Sequence, residues 1–298
     1  MRIASARSFA STVIAALLWR ILGYSQRRLE PLPLPRLLCL PSDFLGKHII
    51  CNGVFERETM EYVAGLLETR QARSAGPSIF IDIGANIGNH TCFFAPRFDL
   101  TIAVEPSSVT ASILRANILL NTLQDKVAVV QAAVSDHSGK ATHYTSSGDN
   151  LGGSSLDGQR RDTVASTREE VELRTGDSIV AGVAPPNAAI SFVKIDVEGH
   201  EHAVLLGMTE TLRRHRPLIM FEADNGRSAA DCLELLRELG YPSFMEIVGD
   251  ADAKASTFMR FFKRLLAGGR CIEIRELKSV ELTKYYEAIV CIPSERAA

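Results

Sequence analysis

From Ser78 onward, short apolar runs alternate with longer stretches that carry apolar residues at three- and four-residue intervals. The short runs are typical of buried strands, and the longer spacing is typical of amphipathic helices. Parallel strands are joined by crossover connections, usually helices, so strands and helices that alternate in sequence build a mostly parallel sheet. The sequence therefore predicts an α/β fold with helices on both faces of the sheet.

Seven apolar runs are predicted as strands, and they lie at 78–83, 101–106, 127–134, 188–196, 216–224, 241–248 and 285–293. Helices are predicted at 89–98, 108–123, 201–214 and 229–240, and the last of these closes on a glycine, as helices often do. Two segments interrupt this pattern. Residues 146–170 are rich in Gly and Ser and predict a mobile surface loop or an excursion at a strand edge. Residues 249–283 form an insertion with a basic amphipathic stretch at 257–266.

The N-terminal 29 residues hold five arginines and no acidic residue. Their apolar run, 11–24, is too short to cross a bilayer, which takes about 20 apolar residues. It could lie on a membrane surface as a helix, or be a tail that is poorly ordered or packs on the core. Prolines in 31–41 forbid a continuous helix and predict an extended connector. We therefore predict a tail and connector at 1–45 and one enzyme-sized domain at 46–298.

The composition argues against some functions. The 33 basic and 35 acidic residues leave no net positive charge to attract nucleic acid, so no nucleic-acid partner is expected. The six cysteines are scattered and include no CxxC pair, which indicates free thiols in a reducing compartment and a cytoplasmic location. Peripheral membrane contact through residues 1–30 stays open beside that location.

Two glycines, Gly84 and Gly88, follow the first predicted strand in IDIGANIGNH. Ligands of open α/β sheets bind at this end of the strands. A dinucleotide fingerprint has a glycine where this sequence has Asn86, which disfavours a pyrophosphate-containing cofactor such as NAD. Asp82 instead suits a cationic sulfonium cofactor that also carries an ammonium group. Glu105 ends the second strand and is placed to bind both hydroxyls of an adenosine ribose.

Three blocks follow one another along the chain: FIDIGANIGNHT at 80–91, VEP at 104–106 and FVKIDVEGHE at 192–201. In this order they resemble the FkbM family of class I S-adenosylmethionine-dependent methyltransferases, over residues 52–248. The chain departs from the family at His200, where a small residue is usual, and at Gly176, where Leu is more frequent. The resemblance implies a Rossmann-like class I methyltransferase sheet of seven mostly parallel strands, with helices on both faces.

The resemblance also implies where S-adenosyl-L-methionine would bind. The residues around its methionyl part would be Asp82, Gly84, Asn86 and Gly88. Glu105 would bind the ribose, and the segment QAAVSD would lie near the adenine through Ala133 and Asp136. The methyl acceptor implied by the family is a hydroxyl of a sugar or secondary metabolite.

The fourth predicted strand ends at Asp196, so this carboxylate is expected at the same edge of the sheet as the cofactor. A hydroxyl is a poor nucleophile at neutral pH, and a general base adds a factor of about 10² to 10⁴. Asp196 is the first candidate for that base, with His200 as its rival. Lys194 alternates with Asp196 along the strand and is expected to fix it by an ion pair. Glu222, at the end of the fifth strand, could bind acceptor hydroxyls.

Other acidic and histidine residues of this region have weaker claims to a role. Glu198 is as easily a helix cap as a site residue, and Glu201 is expected to be structural. No metal is predicted, because His200 and His202 would lie on different helix faces and HExxH spacing is absent. The sequence thus predicts an O-methyltransferase. Its rivals are an NAD-dependent dehydrogenase on a related sheet and a cofactor-binding module without catalysis.

Overall fold

The secondary structure follows the predicted alternation of strands and helices. A computed structural model describes residues 13–20, 23, 32–71, 76–145, 167–223, 225–249 and 272–294. Its strands are β1 (Ser78–Ile83), β2 (Leu100–Val104), β3 (Val127–Val130), β4 (Ala133–Val134), β5 (Gly139–Thr145), β6 (Thr167–Arg174), β7 (Ala189–Ile195), β8 (Leu218–Ala223), β9 (Ser243–Gly249), β10 (Ile272–Glu276) and β11 (Tyr286–Ile292). Its helices from residue 32 onward are α1 (Phe44–Asn52), α2 (Arg57–Gln71), α3 (Asn89–Phe94), α4 (Ser108–Leu120), α5 (Gly176–Val183), α6 (Glu201–Leu206), α7 (Thr209–His215) and α8 (Gly226–Glu238), with a 3₁₀ turn at Ala95–Arg97.

The main sheet has eight strands in the order β10-β9-β11-β8-β7-β1-β2-β3. Strands β8, β7, β1, β2 and β3 pair in parallel, and β11, β9 and β10 continue the sheet in antiparallel. The predicted Rossmann-like class I methyltransferase sheet is confirmed, with β10 as an eighth strand. A second sheet, in the order β4-β6-β5, lies outside it.

The two faces of the main sheet carry different apolar layers. Successive side chains of a strand point to opposite faces, so Ile81 packs with Val204 of α6 and Leu233 of α8. Phe80, the next residue, packs on the other face with Met60 of α2 and with α3. This parity matters for the site, because even-numbered β1 residues face α2 and α3.

Two predicted elements are divided in the structure. The predicted strand 127–134 breaks after β3, because Ala133 pairs with Leu173 of the second sheet instead. The predicted helix 201–214 breaks at Gly207, where a β-carbon would lie 2.0 Å from the carbonyl oxygen of Ser135. The close approach of these two backbones explains the separation of α6 from α7. Helix α8 ends as predicted: Gly240 has a φ of 90°, and the amide of Tyr241 donates to the carbonyl of Leu236.

The two segments predicted as irregular contain strands. Residues 167–170, at the end of the segment predicted as a mobile loop or a strand-edge excursion, begin β6, which pairs with β5 from Thr167 to Leu173. Within the insertion 249–283, β10 pairs with β9 along the edge of the main sheet. The remaining residues of both segments, 146–166 and 250–271, lie outside the described residues, and so does the basic stretch 257–266.

The N-terminal connector, residues 32–40, lies on α4 and on the turn after β1 that contains Gly84 and Gly88. We call this turn the glycine turn. Residues 32–40 form neither helix nor strand, and the side chain of Asn117 bonds both the amide and the carbonyl of Leu38. The predicted boundary at residue 45 stays a prediction. Residues 13–20 are helical. Within the described ranges, no helix is long and apolar enough to span a membrane. The described cysteines are free thiols, and Cys271 lies outside those ranges.

Candidate active site

The turn after β1 is built from residues with left-handed backbone. Gly84, Asn86 and Gly88 have φ values of 73°, 50° and 92°. Only a glycine fits at position 84, because a β-carbon there would lie 1.8 Å from the carbonyl oxygen of Asp196. The turn thereby brings the ends of β1 and β7 into contact. Gly88 begins α3 and packs on Leu114 of α4, away from the two cavities described below.

Glu105 closes the turn from the neighbouring strand. Its Oε2 accepts the amide of Asn86 at 3.0 Å, and its Oε1 accepts the amide of Ser107 at 2.9 Å. Burial raises the pKa of this carboxyl to about 7, although the two amides and Lys194 oppose the rise. A carboxylate oxygen has more than one acceptor direction, so each oxygen retains capacity for a ligand hydroxyl.

A cavity of about 650 Å³, including its opening to solvent, lies in front of this carboxylate. We call it the turn cavity. It is lined by the ends of β1, β2 and β7, by β4 and by β5, at Ile83, Gly84, Asn86, Val104, Glu105, Pro106, Thr110, Ala132, Ala133, Val134, His143, Asp196, Val197, Glu198 and His200. Its walls combine apolar residues, among them Val104, Ala133 and Val134, with polar residues such as Asn86 and Asp196. This mixed lining suits a ligand that has both an apolar part and polar groups.

A second cavity, of about 750 Å³, lies beside it. We call it the acidic cavity. It is lined by Phe44, Leu45, Phe55, Glu56, Ala85, Asn86, Asn89, His90, Lys194, Asp196, Glu198, Glu222 and Tyr285. Asn86, Asp196 and Glu198 line both cavities. The two spaces therefore meet at the carboxyl end of β7.

Lys194 is buried behind this junction and fixes its carboxylates. Its Nζ lies 3.1 Å from Oδ2 of Asp196 and 3.5 Å from Oδ1 of Asp82, and it donates to the carbonyl of Gly84 at 3.0 Å. Burial lowers the pKa of Lys194, but Asp196 and Asp82 outweigh it, and the net shift is upward. The predicted ion pair between Lys194 and Asp196 is present. The ammonium therefore remains charged and holds Asp196 at the mouth.

Asp82 lies beneath the junction and lines neither cavity. It is fully buried, and its Oδ2 accepts the hydroxyl of Thr91 at 2.6 Å. Its direct neighbour on β7 is Lys194. The structure thus gives Asp82 a role in holding Lys194, where the sequence placed it beside the cofactor. Even-numbered β1 residues face α2 and α3, which explains the difference.

Two further polar pairs line the acidic cavity. The Tyr285 hydroxyl donates a short hydrogen bond to Oε1 of Glu222. Burial, and after it the charge of Asp196, raises the pKa of Glu222 to about 9, so this carboxyl holds its proton at neutral pH. In the same cavity, Nε2 of the buried His90 lies 3.3 Å from Oε2 of Glu56. The sequence placed Glu222 here but did not single out Glu56 or Tyr285, which come from distant parts of the chain.

The other predicted residues are distributed as follows. Ala133 lines the turn cavity. His200 lines that cavity only, where its Nε2 lies 3.0 Å from the Ser135 hydroxyl and burial lowers its pKa. Asp136 is exposed and bonds to His137, so the structure does not bring it into the cavity. Glu201 is buried and accepts the amide of Gly199 at the start of α6, as expected of a structural residue.

No group of three or more His, Cys, Asp or Glu residues in the described part of the chain is arranged to hold a metal ion. The carboxyl groups of the acidic cavity belong to Glu56, Asp196, Glu198 and Glu222. Their arrangement suits several weak polar contacts with an organic molecule, spread over its surface.

A mostly parallel sheet with this strand order, a glycine turn and an acidic residue after β2 defines a class I methyltransferase fold. The family model of the methyltransferase FkbM domain matches residues 82–243, more than half of the chain. The chain belongs to the FkbM methyltransferase family.

Comparison with individual proteins gives distant relatives. The hexuronic acid methyltransferase AglP of Haloferax volcanii is 29% identical over 159 residues, which are 53% of this chain and 60% of the relative. The chain thus spans less than two thirds of that relative's length. A precorrin 8w decarboxylase structure from Methanobacterium thermoautotrophicum has 14% identity and a TM-score of 0.47, over 88% of this chain and 100% of its own. An FkbM methyltransferase structure from Methylobacillus flagellatus has 16% identity and a TM-score of 0.38, over 55% of this chain and 38% of its own.

Proposed function

We propose that the protein transfers a methyl group from S-adenosyl-L-methionine to a hydroxyl oxygen of a small molecule, a sugar or secondary metabolite. The observation that carries this proposal is the junction of two cavities at Asn86, Asp196 and Glu198. Direct transfer requires donor and acceptor to be held side by side in a near-attack arrangement. Membership of the FkbM family supports the reaction, and the name of the Haloferax relative supports a sugar-class acceptor.

The residues of the turn cavity fit the proposed cofactor. Glu105 offers acceptor capacity for two ribose hydroxyls, and the apolar wall around Ala133 offers a slot for adenine. The carboxylates of Asp196 and Glu198 at the junction favour a positive charge there. When bound, S-adenosyl-L-methionine supplies an electrophilic methyl group on a cationic sulfur.

Asp196 is the residue proposed to receive the acceptor proton. Its carboxylate lies at the junction, and its side chain is 33% exposed, so an acceptor hydroxyl can reach it. A carboxylate oxygen of Asp196 would take the hydroxyl proton while the hydroxyl oxygen gains the methyl group, the bond from that methyl carbon to sulfur breaks, and S-adenosylhomocysteine is the leaving group. Lys194 is a positioning residue, because its ammonium holds Oδ2 of Asp196 at 3.1 Å.

His200 is a weaker candidate for this base. It lines only the turn cavity, and its Nε2 is engaged with Ser135. Glu222 is proposed to bind an acceptor hydroxyl. Because it holds its proton at neutral pH, it offers a donor as well as an acceptor.

Calorimetric titration with S-adenosylhomocysteine and, separately, with NAD tests the cofactor proposal. We expect S-adenosylhomocysteine to bind and NAD not to bind, and we expect Glu105→Ala to weaken binding by at least about tenfold, since two ribose hydrogen bonds are lost. Glu234→Gln, a change of an exposed acid on α8, is the matched control and should bind as the unaltered protein does. Preferential binding of NAD would overturn the proposal in favour of a dehydrogenase.

A further inference from the structure

The acidic cavity has an excess of negative charge. Its carboxyl groups are Glu56, Asp196, Glu198 and Glu222, and its basic groups are Lys194 and His90. Lys194 is paired with Asp196 and Asp82, and Nε2 of His90 lies 3.3 Å from Oε2 of Glu56 without a hydrogen bond between them. Among the described residues that line this cavity, the carboxyl groups therefore outnumber the basic groups, and the one lysine is already paired.

The raised pKa of Glu222 reflects the same excess of negative charge. After burial, the charges of Asp196, Glu56 and Glu198 all contribute to raising its pKa. A site whose own carboxyl holds its proton against such neighbours would also disfavour the carboxylate of a ligand. Placing like charges together at a binding surface costs several kcal/mol and suppresses the wrong partner.

The mouth of the cavity presents aromatic rings together with these acids. Phe44 and Tyr285 are each about half exposed, at 51% and 49%, and the ring of Phe44 meets that of Phe55 edge to face at 5.9 Å. Inside, Nε2 of His90 is buried without a hydrogen-bond partner. Rings that cover one face of a ligand, with acceptors and donors around its rim, suit a ring-shaped molecule with many hydroxyl groups.

The chemistry of the transfer favours the same ligand. A hydroxyl must lose its proton as it is methylated, and a cavity rich in carboxyl groups can take that proton. A carboxylate nucleophile has no proton to lose, so it would gain nothing from these acids and would be repelled by them.

We propose that the acidic cavity admits a polyhydroxyl acceptor of the sugar class without negative charge and excludes acceptors that carry a carboxylate. The proposal rests on the proposed methyl transfer and adds the charge of the acceptor to it. In this charge preference the chain would differ from the Haloferax relative, whose name gives a hexuronic acid. Glu56 is the specificity-determining residue, because its carboxyl group lines the acidic cavity and does not line the turn cavity.

The test uses the full-length protein saturated with S-adenosylhomocysteine and a matched pair of probes, methyl β-glucopyranoside and methyl β-glucopyranosiduronate. They differ in a single carboxylate. Saturation-transfer NMR at millimolar probe concentration measures the binding of each. We expect the neutral glycoside to bind and the uronide to bind about tenfold or more weakly, since like-charge contacts are strongly unfavourable.

One variant assigns the discrimination to the cavity. Glu56→Gln replaces a carboxyl group of the acidic cavity with a neutral amide and should narrow the difference between the two probes. The control is Glu61→Gln, which changes an exposed acid on α2, the helix that follows Glu56. This variant should leave the difference between the two probes unchanged. Equal or tighter binding of the uronide, or no binding of the neutral glycoside, overturns the proposal. If the unaltered protein did not bind S-adenosylhomocysteine, that result would instead contradict the proposed function.

Discussion

At the scale of single residues, the proposed role of Glu105 in cofactor binding predicts that this binding depends on pH. Its pKa in the free protein is raised from an ordinary 4.5 to about 7, chiefly by burial. Ribose hydroxyls donate more strongly to the ionised form. The affinity for S-adenosylhomocysteine should therefore rise as pH rises through about 7, and calorimetry across this range measures it.

Stability should respond to the same group with the opposite sign. Because the folded pKa lies above the unfolded one, the folded protein binds more protons between these values, and the contribution of Glu105 to the free energy of unfolding falls as pH rises from 4.5 to about 7. In Glu105→Gln both slopes should flatten. A pH-dependent affinity that persists in this variant would assign the effect to another group.

Asp82 shows what the sequence could and could not predict of a single residue. Its place at the end of β1 was predictable from the apolar run before it. The alternation of Phe80 and Ile81 also gives the face on which it lies. Its partner was not predictable, because Lys194 is 112 positions away and becomes its neighbour only through the register of β1 with β7.

At the scale of elements, Asn89 fixes the wall of the acidic cavity to the glycine turn. Its Oδ1 accepts the amide of Phe55 at 2.9 Å, and its Nδ2 donates to the carbonyl of Phe55 at 3.0 Å. The Asn89 side chain thus satisfies both backbone groups of Phe55, the residue before Glu56, as a neighbouring strand would. Asn89 thereby joins the start of α3 to the segment just before α2, which His90 of α3 also contacts at Glu56.

Asn89→Ala should release that wall without disturbing the turn cavity. Two backbone groups lose their partners, which costs about 1–3 kcal/mol for each one that stays buried. We expect faster hydrogen exchange at residues 53–58, a lower free energy of unfolding in urea, and unchanged affinity for S-adenosylhomocysteine. Unchanged exchange in that segment would show that other contacts hold it.

The elements themselves were largely predictable, because buried strands and amphipathic helices have distinct periods. The strands that the sequence pattern did not predict share a physical property. β5, β6 and β10 are rich in polar and charged residues, as in the sequence TREEVELR, so their patterns lack apolar runs. The break at Gly207 depends on the Ser135 backbone, a contact that no local pattern contains.

At the scale of the whole molecule, Asn117 of α4 connects three parts of the chain. It is fully buried, accepts the amide of Leu38 at 2.6 Å, and donates to the carbonyls of Leu38 and Ile87 at 3.2 and 2.7 Å. The N-terminal connector, the glycine turn and α4 are thereby held together. Asn121, one helical turn later, makes a similar pair with Arg36 at the surface.

Asn117→Ala should lower the free energy of unfolding by about 3 kcal/mol, because buried amide and carbonyl groups lose their partners. Asn121→Ala is the matched control and should cost about 1 kcal/mol or less, because water can replace its exposed bonds. Urea unfolding of both variants measures the difference. Equal costs would mean that the buried bonds of Asn117 are replaced when it is removed.

The acidic cavity draws its outer walls from outside the segment shared with the family. Phe44, Phe55, Glu56 and Tyr285 line it, whereas the family model covers 82–243. Natural selection can therefore change the compound that is modified by altering two short stretches of the gene, and leave the cofactor machinery under separate constraint. Duplicated copies of such a gene would diverge first at these flanks. Ancestral reconstruction of the lineage should find substrate range recorded there.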